Sequence, residues 1–196
     1  MICKLEIFSR KNQISVCLWI RVPTDGALWE MLLHNLAEQC AITVPTSRLM
    51  QIGNEYHTFL VKRFDRNNSD RLFFASALTM LHHTDSDNAS YLELSEFIAT
   101  YGDVDHIAID LEELFTRVVF NIVAANRDDH LRNHGFIRSP AGWRLSPAYD
   151  MNPSFRKEEH VLSLDLYNRQ PDLECAPPLS IENLCPADFI FGWHRS

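Results

Sequence analysis

NRDDHLRNHGFI, residues 126–137, is the stretch whose reading decides the fold. Arg127, Asp128, Asp129, His130 and Arg132 crowd into it, and Asn133 follows directly. Upstream, Leu111, Leu114, Phe115, Val118, Ile122 and Ala125 share one face at helical spacing. That spacing predicts a largely buried helix that begins at Asp110, with Glu113 closing a capping box, and stops near Asn126. Downstream, HGFI and GWRL read as two short strands around SPAG, where Pro140 and Gly142 suit positions i+1 and i+3 of a type I turn. SPAYDMNPS then places Asp150 just past the second strand. The order is helix, polar loop, hairpin, aspartate.

That order has a chemical meaning. Phosphoryl transfer asks little covalent chemistry of a protein, but it needs an aspartate to hold the attacking hydroxyl and hard oxygen ligands for magnesium. Asp128 and Asn133 lie five residues apart in one loop, and a hairpin returns the chain so that Asp150 approaches the same metal. This is the D-x-x-x-x-N arrangement of a protein-kinase catalytic loop, followed by its metal-binding aspartate. Two other readings stand beside it. Asp, Asn and His are also what a helix-ending loop uses to satisfy free backbone groups. A metallohydrolase could use DDH, yet it would want further ligands at metal spacing, and His82–His83 reads better as a solvated helix end.

The rest of the chain sets the frame. With 196 residues and 46% hydrophobic content it can bury a core of one domain or two small lobes. A net charge of −8 argues against a broad basic surface, and so against direct nucleic-acid binding. Cys3, Cys17, Cys40, Cys175 and Cys185 are odd in number and contain no CxxC pair, as expected for reduced thiols in a cytoplasmic protein. The start is not a secretory leader, and no window approaches a membrane span. ISVCLWIRV reads as a strand, and the following LWEMLLHNLAEQC carries Leu28, Leu32, Leu36 and Cys40 at i+4 steps, as one helix face would. RLMQI and TFLVKRF form a hairpin around GNEY. LFFASALTMLHH and SYLELSEFIATYG follow as helices, the latter with Ser90 and Glu93 as a capping box and Gly102 as its stop.

These motifs together resemble the HipA-like toxin kinases, whose pattern N-x-D-[DAG]-H-x-x-N is followed by W-R-L-[ST]-P-x-Y-D. The resemblance also runs through WEMLLHNLAEQCAITVPTSRL, FLVKRFDR, RLFFASALTML and SYLELSEFI, covering most of Glu30 to Ser154. The D-x-H-x-x-N form is shared with phosphoinositide lipid kinases, but the upstream blocks favour HipA.

The resemblance implies an α+β, protein-kinase-like two-lobe fold with a reduced N-lobe and a mainly helical C-lobe. Residues 1–66 would be the partial N-lobe and hinge, 67–170 the C-lobe, and 171–196 a divergent tail broken by Pro177, Pro178 and Pro186. By similarity, Asp128 would orient the acceptor hydroxyl and finally take its proton, Asn133 and Asp150 would hold Mg2+, and His130 would lie near the phosphates of ATP. Lys62, Arg63 and Phe64 would form the hinge, with backbone groups pairing with adenine and the Phe64 side chain packed nearby, unless Phe64 is simply a core residue. Arg21 falls where the family carries its phosphate-contacting lysine, although another register nominates Lys4; Glu30 is the matching carboxylate unless it is simply solvated. Trp143, Leu145 and Tyr149 would only hold the hairpin.

No glycine-rich phosphate loop is visible, and the expectation is that the chain starts inside the kinase lobe and is shortened at both ends. The implied function is a serine/threonine kinase of a toxin–antitoxin system, acting on a cytosolic protein such as an aminoacyl-tRNA synthetase. Its partner would be a helix-turn-helix antitoxin or the missing N-terminal subdomain. The alternative is a non-catalytic remnant that binds nucleotide or antitoxin.

Overall fold

A computed structural model describes residues 3–9, 14–20, 25–51, 56–67, 70–87, 89–154 and 164. The antiparallel pair β1 (Cys3–Ser9) and β2 (Ile14–Ile20) opens the chain, and α1 (Gly26–Gln39) follows. The hairpin of β3 (Ser47–Gln51) and β4 (His57–Lys62) then completes a four-stranded sheet of order β1-β2-β4-β3. Register is set by Val16 facing Leu60 and Leu49 facing Phe59.

Helix α1 lies on this sheet with Ala27 and His34 against Phe59, and Glu30, Leu33 and Ala37 complete its buried stripe. Small residues at both ends of that stripe allow close approach, and His34 fits because its polar edge is satisfied. Its Nε2 lies 2.7 Å from the Pro45 carbonyl, Nδ1 lies 3.2 Å from Ser47 Oγ, and the ring meets Phe59 edge-on. Burial pushes the His34 pKa below its ordinary value against those contacts. The Leu28, Leu32, Leu36 face points outward instead, and Cys40 is exposed.

Beyond the short hairpin β5 (Arg66–Asn67) and β6 (Asp70–Arg71), the chain forms β7 (Phe74–Ser76) and a single turn of helix, α2 (Ala77–Met80). The long helix expected from LFFASALTMLHH is therefore a short strand followed by one helical turn. Phe74, Ala75 and Ser76 pair with Ile137, Phe136 and Gly135, a long-range partner that outweighs local helix preference. Helix α3 (Tyr91–Tyr101) carries the expected Ser90–Glu93 capping box. Gly102 ends it with φ −63°, not in the left-handed region. Glycine is needed there because a Cβ would stand 2.3 Å from the Ile98 carbonyl oxygen.

Helix α4 (Ile107–Val123) begins three residues before Asp110, and His106 caps it with no side-chain hydrogen bond. Asp110 is buried within the first turn and accepts from the Arg144 guanidinium at 2.9 and 3.0 Å and from the Leu145 N–H at 3.0 Å. Asp110 thereby fixes the strand that leads to Asp150. β8 (Gly135–Arg138) and β9 (Trp143–Leu145) complete the second sheet, of order β7-β8-β9.

One core, built around Leu94, Ile98, Leu114, Val118, Leu131 and Phe136, joins the helices to this sheet. A second, of Leu33, Ala37, Ile42, Phe120, Ala148 and Met151, packs α1 against α4 and against the residues flanking Asp150.

Three helices end in the same way without glycine. Ala41, His82 and Ala125 have φ of 60°, 60° and 52°. In each case the next N–H reaches back five residues: Ile42 to Ala37 at 3.0 Å, His83 to Leu78 at 3.0 Å, and Asn126 to Asn121 at 2.9 Å. These are Schellman closures in which a side chain occupies the left-handed position. That position costs a non-glycine residue about 1–2 kcal/mol. Ala41 is exposed, so Ala41→Gly is expected to stabilise the fold by about 0.5–1 kcal/mol. Urea denaturation checks this; an unchanged or lower midpoint would contradict it.

Candidate active site

The two adjacent aspartates of the loop have opposite environments. Asp128 leaves 72% of its side chain exposed, whereas Asp129 leaves 3%. Asp129 Oδ1 lies 2.8 Å from His134 Nε2, and His134, equally buried, stacks edge-on to Tyr91. One residue back from that pair, Asn133 donates its Nδ2 to the Asp128 carbonyl at 2.7 Å, and its own N–H bonds the His130 carbonyl at 2.8 Å. The loop is thus closed twice across the same five residues. This closure turns the Asp128 carboxylate outward and leaves Oδ1 as the remaining oxygen of Asn133. His130 stands beside Asp128, with Nε2 at 3.7 Å from Oδ1.

Other residues hold the loop from outside. Ser86 Oγ accepts the Leu131 N–H at 3.0 Å, and Tyr149 donates its hydroxyl to the Arg132 carbonyl at 2.8 Å. Asn126 is buried, with Nδ2 on Asn121 Oδ1 at 3.0 Å, and Asn121 in turn reaches the Tyr91 hydroxyl at 3.3 Å.

Tyr149 does more than hold the hairpin. Its ring lies 5.7 Å from Phe64 and 6.2 Å from Phe74, while Phe64 meets Phe74 at 5.3 Å. One residue therefore links Phe64 after β4, the loop and Asp150. Asp150 itself has φ 59°, a strained conformation that aspartate tolerates better than most residues. Its Oδ1 accepts from Asn152 Nδ2 at 2.8 Å. Asn133, Tyr149 and Met151 line one recess with Asn126, Asp129 and Arg117.

In the segment expected to form the hinge, the Lys62 N–H is committed to the Thr46 carbonyl at 2.8 Å, extending the sheet. The Arg63 guanidinium grips Asp65 at 2.6 and 2.7 Å, which holds the Asp65 carboxyl below its usual range and raises Arg63. Arg63 thus serves the backbone turn after β4. Glu30 is 3% exposed, so it is not a solvated helix carboxylate. Arg21 lies outside the described residues, and Lys4 lies on β1.

Sequence reading did not single out Asp129, His134, Asn126 or Arg117. Two of them left a signal: Asp129 as the second of two consecutive aspartates, and Arg117 at i,i+4 from Glu113 on a helix.

The sequence matches the HipA-like C-terminal domain family over residues 1–185. The chain belongs to that family. No curated protein matches it. Among solved structures it is similar to HipA of Shewanella oneidensis MR-1, solved with HipB and operator DNA. The TM-score is 0.69 at 18% identity, over 83% of this chain and 45% of that one. It is also similar to CtkA, a proinflammatory kinase of Helicobacter pylori, with TM-score 0.54 at 18% identity, over 75% of this chain and 53% of that one. The chain spans about half the length of either protein. The fold is the α+β, kinase-like fold of this HipA family. Among the described residues no helix is long and apolar enough to cross a membrane.

The split between the two aspartates has a measurable consequence. Asp129→Ala strips a buried partner from His134 and is expected to cost about 1–3 kcal/mol. Asp128→Ala, at an exposed position, is expected to stay within about 0.5 kcal/mol of the parent. Equal losses on chemical denaturation would show that the two carboxylates are not partitioned this way.

Proposed function

We propose that this domain is the phosphotransfer core of a HipA-like serine/threonine kinase that uses ATP and magnesium to phosphorylate a protein. The observation that carries the reading is the doubly closed loop, which buries Asp129 and leaves Asp128 outward, with Asn133 fixed behind it. An exposed carboxylate held on a rigid loop can accept a hydrogen bond from an acceptor hydroxyl and aim its oxygen at phosphorus. Positioning is its main contribution, because an ordinary carboxylate is a weak base for an alcohol. The proton passes to Asp128 late, as the new O–P bond forms and the bond to the leaving ADP oxygen breaks.

The residues present fit magnesium. Asn133 keeps one amide oxygen after its Nδ2 is used, and Asp150 adds a carboxylate, both hard oxygen donors. Bound there, magnesium would neutralise charge developing on the phosphates. His130 is the neighbouring polar group for the phosphates, and Phe64, backed by Phe74 and Tyr149, offers an aromatic surface beside the hinge segment Lys62–Phe64.

A type II toxin–antitoxin role is part of the proposal, with a helix-turn-helix antitoxin as partner and a cytosolic protein as acceptor. The likeness to HipA, which was solved with HipB and operator DNA, supports it. The acidity of the chain assigns any DNA contact to the partner. A cytoplasmic location follows from that role.

Transfer of labelled γ-phosphate to casein or to the chain itself tests the reading. Asp128→Ala is expected to lower the rate at least 100-fold with an unchanged unfolding midpoint. Equal rates in variant and parent would refute the assignment of Asp128. Absence of transfer by folded parent protein would instead favour a non-catalytic nucleotide- or antitoxin-binding module.

A further inference from the structure

A closed hydrogen-bond circuit joins the turn after α1, helix α4 and the segment that carries Asp150. Thr43 donates its hydroxyl to Glu113 Oε2 at 2.8 Å and its N–H to Oε1 at 3.3 Å. Glu113 Oε1 also takes Arg117 Nε at 3.1 Å and, more closely, Nη2. The same Nη2 donates to the Ser146 carbonyl at 2.6 Å. Two residues on, the Ala148 N–H returns to the Thr43 carbonyl at 2.8 Å, which closes the ring.

Arg117 is 3% exposed, and burial pushes its pKa below the ordinary value against the pull of Glu113. A guanidinium in that setting is held where its partners demand, because moving it away from them leaves a buried charge uncompensated. Arg117 Nη1 has no partner among the described residues and borders the recess shared with Asn133, Tyr149 and Met151. Ser146 is pinned from its other side by its N–H on the Gly135 carbonyl at 2.9 Å, and Asp150 lies two residues past the Ala148 anchor.

We propose that Thr43, Glu113 and Arg117 are positioning residues that set the Asp150 carboxylate through Ser146 and Ala148. They make its geometry depend on the turn between α1 and β3. Asp150 gains from such an external hold, because its left-handed backbone is an uncommon conformation even for aspartate. The turn in question begins at Ala41, itself left-handed, so both ends of the circuit are conformationally defined. The functional half of this inference rests on Asp150 holding magnesium as argued above; the structural half does not.

Thr43 is the place to test it, being exposed and removable without opening the core. Thr43→Val deletes the hydroxyl bond alone, and Thr43→Ser restores it. Hydrogen–deuterium exchange of the 145–152 region is read for the parent and both variants, alongside the magnesium concentration that half-saturates binding of a fluorescent ATP analogue. Thr43→Val is expected to speed exchange there and to raise the magnesium midpoint roughly fivefold. Magnesium-free nucleotide affinity should not move, and Thr43→Ser should return both readouts to parent values. Unchanged exchange in Thr43→Val with an unaltered magnesium midpoint would overturn the proposal. Faster exchange in a series whose parent shows no magnesium-dependent binding would support the circuit as a structural hold, and would overturn the magnesium assignment of Asp150.

Discussion

Asp128 and Asp129 are neighbours in the chain and opposites in environment, and the site depends on that division. A carboxylate can be buried only with partners, and Asp129 has His134. Once that pair is inside, the backbone between residues 129 and 134 must double back, and the Asn133 amide closes it onto the Asp128 carbonyl. The first aspartate is then outside by necessity. A loop held in this way keeps the Asp128 carboxylate oriented before any ligand arrives, which is what the proposed positioning role requires.

The scaffold around the loop follows the same logic of paying buried polar groups with fixed partners. Asp110 and Arg144 anchor β9 to α4, and Glu113 and Arg117 anchor the residues after it. Buried ion pairs add little to stability over apolar packing, but breaking one is costly, so they define geometry. Apolar packing supplies the remainder: Leu33, Ala37 and Ile42 from one half meet Phe120, Ala148 and Met151 from the other, directly beneath the Asp150 segment. The aromatic contact of Tyr149 with Phe64 brings the segment after β4 to the same place.

Much of this was legible in the sequence, for identifiable reasons. The Ser90–Glu93 box, the β3–β4 hairpin and the β8–β9 hairpin are local, and local chemistry specifies them. Where long-range pairing decides, local reading failed. Phe74–Ser76 became strand because β8 was available, and Asp110, read as a cap, was drawn inward by Arg144 and the Leu145 N–H. Helix ends near Cys40, His82 and Asn126 were located although Ala41, His82 and Ala125 occupy positions where glycine is the usual signal. On α1 the more apolar leucine face lies outward, and a stripe containing Glu30 and His34 lies inward; periodicity located the helix but not the side it buries. The loop was found from residue types and spacing; Glu113 and Arg117 also stand at i,i+4 on one helix, but that spacing does not reveal their burial or the bond from Arg117 to the Ser146 carbonyl.

The measurement that bears most directly on the central claim is calorimetric titration of the folded chain with ATP, with and without magnesium, for the parent and for Asp150→Ala. The expected result is binding by the parent that strengthens with magnesium and loses that magnesium dependence in the variant. Binding that is indifferent to magnesium in both proteins would contradict the account of Asn133 and Asp150 as the metal-holding pair.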